Sequence, residues 1–192
     1  MLNADCFLMV MEIEKKYRLT AERAVRLRAR LGELAGGAAR GVEFEENMIY
    51  AGAGLGAGLR TLRLRRVAGR ALLTLKEREP SPDAIKRQHE EETEVADAAA
   101  LDAILCALGY THALVYEKRR ETWHLDTVEV VIDELPFGWF AEIEGETEAI
   151  LAAERQLDLA DAEAEHATYP ALARAHGKIN GDVIESRFDA SA

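Results

Sequence analysis

Charged residues recur at every second position through one short segment after another, and this period constrains the fold more than any other feature of the chain. In "MEIEKKYRL", Glu12, Glu14 and Lys16 stand two apart. In a strand they share one face, because successive side chains point to opposite sides. Arg63 and Arg65 in "LRLRR", Lys76 in "LTLKE", Glu90, Glu92 and Glu94 in "HEEETEV", and Lys118 and Arg120 in "EKRRE" repeat the pattern. Asp133 follows "VEVVI", and Glu142 and Glu144 stand in "AEIEG". One charged strand face is ordinarily a solvated face. Here the opposite faces carry Ile13, Tyr17, Leu62, Leu64, Leu73, Leu75 and Ile143, which need a core. Helices outside a curved sheet would supply it, and the charged faces would then point to a common interior.

The remaining punctuation fits that arrangement. Thr20 caps a helix running to Leu34, with Ala24, Leu27, Leu31 and Leu34 on one side, and "GELAGGAARG" ends it. "VEFEENMIY" reads as a second strand, and "LRTLRLRRV" and "RALLTLKER" as a hairpin turning near Gly69. "EPSPD" is a turn and "KRQHEEETEV" a further strand. Asp97 caps a helix to Leu108, closed by Gly109. "HALVYEKRRETWHL", "TVEVVIDEL" and "WFAEIEGE" are strands, Thr147 caps a helix over 148–158, another covers 162–176, and the last fifteen residues read as a frayed tail. About eight strands and four helices result, an α+β pattern implying an antiparallel sheet or barrel with helices outside.

A hydrophobic fraction of 48% over 192 residues supports one cored domain. The formal charge of −11 argues against a nucleic-acid polymer or an anionic membrane as partner. Cys6 and Cys106 are the two cysteines, too few for a disulfide framework, so a cytoplasmic setting is expected. The opening "MLNADCFLMV" lacks the features of a signal peptide, and Met9 or Met11 could be the natural start.

A dry interior could not hold these charges, since burying an unpaired ion costs several kcal/mol. A wet barrel lumen could. Carboxylates suit a hard divalent cation, and Arg and Lys suit phosphate oxygens. The ligand that needs both is a metal-bound chain of phosphates.

The same residues resemble the signature of the CYTH group, the triphosphate tunnel metalloenzymes, which includes class IV adenylyl cyclases, thiamine triphosphatases and inorganic triphosphatases. The opening E-x-E-x-K is matched by Glu12, Glu14 and Lys16. R-x-R follows at Arg63 and Arg65, then Lys76, E-x-E at Glu90 and Glu92, K-x-R at Lys118 and Arg120, Asp133, and a closing E-x-E at Glu142 and Glu144. The resemblance implies an eight-stranded antiparallel β-barrel, a tunnel, over about residues 9–177, with 1–8 and 178–192 as flexible termini. It implies Glu12, Glu14, Glu90, Glu92, Asp133, Glu142 and Glu144 as ligands of Mg2+ or Mn2+, and Lys16, Arg63, Arg65, Lys76, Lys118 and Arg120 along the phosphate path. Glu12, Glu14, Lys16, Asp133, Glu142 and Glu144 would carry the chemistry. One departure is Gln88, where the family often has arginine, and Glu92 with Glu94 is an alternative register for the middle pair. The activities implied are hydrolysis of a triphosphate-containing small molecule or, alternatively, cyclisation of ATP; a non-catalytic polyphosphate-binding module is a third reading. The hydrolase is favoured because no clear adenine pocket is legible. A homodimer is compatible with a sheet-rich domain of this size.

Other features have plainer readings. "GAGLGAG" lacks the following Lys-Ser/Thr and reads as a loop. The five histidines show no metal-ligand spacing, and Cys106 reads as packed on an apolar helix. Tyr169 with Pro170 is expected to dock a C-terminal helix, with tunnel plugging as the alternative. Arg18, on the opposite face from Tyr17, is expected to join the lumen.

Overall fold

The computed structural model describes residues 10–35, 41–55, 59–80 and 83–189. In chain order the elements are β1 (Val10–Leu19), α1 (Ala21–Ala35), β2 (Glu43–Ala51), β3 (Arg60–Val67), β4 (Arg70–Arg78), β5 (Ile85–Glu94), α2 (Ala98–Ala107), β6 (Thr111–Leu125), β7 (Val128–Leu135), β8 (Gly138–Glu144), α3 (Thr147–Gln156), α4 (Tyr169–His176), β9 (Lys178–Asn180) and β10 (Val183–Ser186). Strands β2-β3-β4-β5-β1-β8-β7-β6 follow one another by antiparallel pairing, and β6 pairs back onto β2. The result is the expected closed eight-stranded antiparallel barrel, in which each of the eight strands has a neighbour on both sides.

The alternation of each strand divides it between two environments. Outward-facing Tyr17, Trp123, Val130, Ile132, Ala141 and Ile143 pack with Ala24, Leu27 and Leu31 of α1 and Ile150 and Ala153 of α3. A second outer core joins Tyr50, Leu64 and Ala71 to Leu105 of α2. Thr20 caps α1 as expected, its Oγ1 accepting from the Arg23 amide at 3.2 Å. Leu34, expected on the packed side, is exposed. A third core lies at one end of the barrel interior, where Ile49, Leu114, Tyr116, Leu135 and Phe140 meet Tyr169, Leu172 and Ala173 of α4. These strand residues have the same parity as the charged ones, so the lumen is apolar at one end and charged over the rest.

Several elements differ from the sequence expectation. The tail expected to fray forms β9 and β10 instead, and β10 pairs in parallel with Leu114–Tyr116 of β6. β6 is fifteen residues long while β7 pairs with it only from Arg119 onward, so β10 satisfies an edge that β7 leaves open. The helix expected over 162–176 begins only at Tyr169, because Thr168 caps it and Pro170 fits its first turn. The preceding residues serve β1: the Arg18 amide donates to Glu163 O at 2.9 Å and the Glu165 amide to Lys16 O at 2.8 Å. They continue the ladder where β5 ends, opposite Lys15. α3 starts at Thr147 itself, after Glu146, which makes no side-chain cap.

Candidate functional site

The charged part of the lumen is a cavity of about 530 Å3. Glu12, Glu14, Lys16, Arg63, Arg65, Lys76, Glu90, Glu92, Arg120, Glu142 and Glu144 all line it. Eleven residues from six strands thus meet where period-two reasoning places them. Lys118 and Asp133, also expected there, lie deeper, at 1% and 0% exposure, behind Arg120. Glu90 and Glu92 line the cavity and Glu94 does not. Arg18 is not in the lining either; it pairs with Glu165 at 2.6 Å and lies over the Phe140 ring.

The register sorts the charges. Glu14 of β1 stands opposite Glu144 of β8, and Glu144 stands opposite Glu129 of β7. Three carboxylates therefore form a row across three adjacent strands, an arrangement in which like charges oppose one another and cost stability. Glu144 makes no ion pair with any described residue, and burial, Glu12 and Glu129 push its carboxyl up to about 7. Burial and a hydrogen bond with Glu90 push Glu12 up to about 7 as well, against the pull of Lys76. Lys76 bridges Glu12 and Glu90 at 2.7 Å each. Gly145 follows Glu144 at φ +153°, and a Cβ there would meet Val128 Cγ1 at 2.9 Å, so glycine lets the chain leave β8 directly after the acid row.

Cations gather elsewhere in the lumen. Arg63 and Arg65 project from β3, and the Nε of each is buried without an acceptor among the described residues. Arg65 pairs with Glu92 at 2.8 Å, and Thr74 Oγ1 donates to Glu92 at 2.7 Å. Arg120 grips Asp133 in a two-point fork at 2.7 and 2.6 Å and reaches Glu142 at 2.7 Å. Burial works against Glu142 ionising, but Lys16, Arg120 and Lys118 outweigh it and hold its carboxyl well below the usual range. Lys16 lies 3.0 Å from Glu142 and over the Tyr169 ring at 3.6 Å.

Some residues were missed by sequence reasoning. Glu45 of β2 is 2% exposed; burial would raise its carboxyl, yet Lys118, Arg120, Arg65 and Arg63 bring it down to about 2. Lys86 of β5 is buried 3.5 Å from Glu14, and burial followed by Lys16 lowers its ammonium to about 8. Gln88 donates to Glu12 Oε2 at 3.0 Å, a neutral contact at the position where arginine is frequent in the resembled pattern. The shared parity of Lys86, Gln88, Glu90 and Glu92, and of Glu45 with Asn47, was the available signal. Tyr169 lines the cavity and donates to Asp133 Oδ2 at 2.7 Å, so it docks α4 and also caps the charged lumen against the apolar end.

A model of the CYTH domain matches residues 11–167. The chain belongs to the CYTH domain family. Solved structures agree in fold with this CYTH protein. The PH1012 protein from Pyrococcus horikoshii is 26% identical with a TM-score of 0.71, covering 84% of this chain and 98% of that one. A candidate adenylate cyclase from Vibrio parahaemolyticus is 22% identical with a TM-score of 0.69, covering 84% and 97%. A candidate adenylyl cyclase from Hippeastrum, described as having a dominant triphosphatase activity, is 17% identical with a TM-score of 0.66, covering 88% and 98%. Among curated proteins, none matches the sequence. Among the described residues, no helix is long and apolar enough to cross a membrane.

As a metal site, the lumen fits by donor chemistry rather than by a finished cage. Its carboxylates are hard oxygen donors, suited to Mg2+ or Mn2+. Among the described residues, three of them do not bring oxygens within 4.8 Å of one another. Like-charge repulsion and the lysines at Glu12, Glu14 and Glu142 hold them apart.

Proposed function

We propose that this CYTH protein is a divalent-metal-dependent triphosphatase acting on a triphosphate-containing small molecule. The observation that carries the reading is the meeting, in one cavity, of a carboxylate row whose central Glu144 has no ion pair among the described residues and two arginines whose buried Nε groups lack acceptors among those residues. Glu12, Glu14 and Glu144 would hold Mg2+ or Mn2+, with Glu142, Glu90 and Glu92 nearby. The metal, when bound, neutralises phosphate charge and favours attack by water.

Arg63 and Arg65 supply forked donors to the phosphate oxygens, and Lys16, Lys76 and Arg120 supply further positive charge. Asp133 holds Arg120 from behind, and Lys118 pairs with Asp133 in turn; they position Arg120 rather than touch substrate. In the hydrolysis, a water oxygen bonds to the terminal phosphorus and the bridging P–O bond breaks. The diphosphate portion leaves with its electron pair, and a carboxylate of the row takes the water's proton. Of the described residues lining the cavity, Tyr169 is the one aromatic, and it is committed to Asp133 and Lys16. That supports hydrolysis over an adenine-dependent cyclisation. Assay of inorganic triphosphate and ATP, with and without Mg2+, tests the reading. Phosphate release that needs the metal is expected. Pyrophosphate with cyclic AMP would replace it with the cyclase, and no turnover with tight binding would replace it with a binding module.

A further inference from the structure

Outside the barrel, Asp102, Cys106 and His112 bring a carboxylate oxygen, the thiol sulfur and a ring nitrogen within 4.8 Å of one another. Three local features build this cluster. Asp102 and Cys106 are four apart on α2 and so share one face of the helix. Gly109, at φ +89°, ends the helix and turns the chain back into β6. A bulge between β2 and β6 then skips Ala113, so that His112 stands opposite Tyr50. Bulges of this kind re-aim a side chain. Here the bulge returns His112 over the helix face that carries the other two residues.

The donor geometry separates two readings. A nucleophile relay needs the carboxylate on one ring nitrogen and the thiol on the other. Here His112 Nε2 faces both: it lies 2.7 Å from Asp102 Oδ1 and 3.9 Å from Cys106 Sγ. The three groups therefore converge on one point. Bond lengths of about 2.0–2.3 Å in a tetrahedron put ligand atoms roughly 3.3–3.8 Å apart. The observed spacings bracket that range, so small rotations would accommodate an ion. The Tyr50 hydroxyl donates to Asp102 Oδ1 at 2.6 Å and its ring packs edge-on to His112 at 5.5 Å. These are the supports that orient ligands in metal sites. Contrary to the sequence expectation, Cys106 is exposed, so an ion can reach it.

We infer that Asp102, Cys106 and His112 form a surface site for a borderline-soft transition ion of the Zn2+ class, with the fourth position open to water. One thiolate, one imidazole and one carboxylate are the wrong set for Mg2+ and a suitable one for Zn2+. All three come from eleven consecutive residues, so the loop that must be ordered is short. The site lies on the outer face of the barrel and does not depend on the proposed activity.

Co2+ titration tests it, because a thiolate ligand gives a near-ultraviolet charge-transfer band that the all-oxygen lumen cannot give. One band-forming equivalent per chain is expected, displaced by Zn2+, retained in Cys6→Ser, and lost in Cys106→Ser and His112→Ala. Tyr50→Phe should weaken the binding on the order of 10-fold without removing the band. Circular dichroism of Cys106→Ser should be unchanged, since the side chain is exposed. Absence of the band in the intact chain, its persistence in Cys106→Ser, or its loss in Cys6→Ser would overturn the site.

Discussion

Glu144→Gln should stabilise the metal-free protein while weakening its hold on metal. In the folded chain the Glu144 carboxyl is raised from 4.5 to about 7, with burial as the largest cause and Glu12 and Glu129 next. Below the unfolded value both states are protonated and the group costs nothing. As pH rises from 4.5 to 7, the unfolded carboxyl ionises first, and the folded state loses stability; above 7 the loss is complete. The full difference corresponds to about 3 kcal/mol. By accessible area Glu144 is exposed, so solvent screening reduces this to about 1–2 kcal/mol. For a chain of this size that is a rise of roughly 2–8 °C in Tm. The assay is thermal and urea unfolding in EDTA at pH 5 and pH 8, for wild type and Glu144→Gln. The variant should gain at pH 8 and gain little at pH 5, and Mg2+ should stabilise it less than wild type. A variant equally or less stable than wild type at pH 8, or a gain that does not change with pH, would refute the carboxylate-row reasoning.

Other perturbations test separate parts of the molecule. Arg120→Ala should destabilise by about 3–5 kcal/mol in urea unfolding, because it leaves fully buried Asp133 without its forked partner. Arg63→Ala and Arg65→Ala should each abolish most of the Tm increase that inorganic triphosphate gives wild type, about 2.7 kcal/mol at a hundredfold excess over Kd. Tyr169→Phe, which removes the hydroxyl bonded to Asp133, should cost roughly 1–3 kcal/mol in urea unfolding with little change in far-ultraviolet dichroism. Truncation after Gly177 removes β10 and uncovers Leu114–Tyr116 of β6, so light scattering should show increased self-association.

How much of this was legible in the sequence depends on whether a feature is local. The lumen face was legible because period two carries charge along one strand at a time, as in Glu12-Glu14-Lys16. Parity alone could not say which lumen residues end up deep. Lys118 and Asp133 are buried because α4 brings Tyr169 over them, a contact between distant parts of the chain. β9 and β10 were illegible for the same reason: seven residues in two short strands gain order only from the open stretch of β6. Residues 163–165 carry a helical pattern but bond to β1, beyond the point where its pairing with β5 stops. The Asp102, Cys106 and His112 cluster needed a bulge that no spacing rule reveals.

The most direct measurement is anomalous diffraction from crystals soaked with Mn2+ and a slowly hydrolysed triphosphate analogue. A Mn2+ peak bounded by Glu12, Glu14 and Glu144, with phosphate density on Arg63 and Arg65, is expected. Manganese and phosphate outside the barrel, with the lumen ion pairs intact, would contradict the meeting of metal and triphosphate inside it.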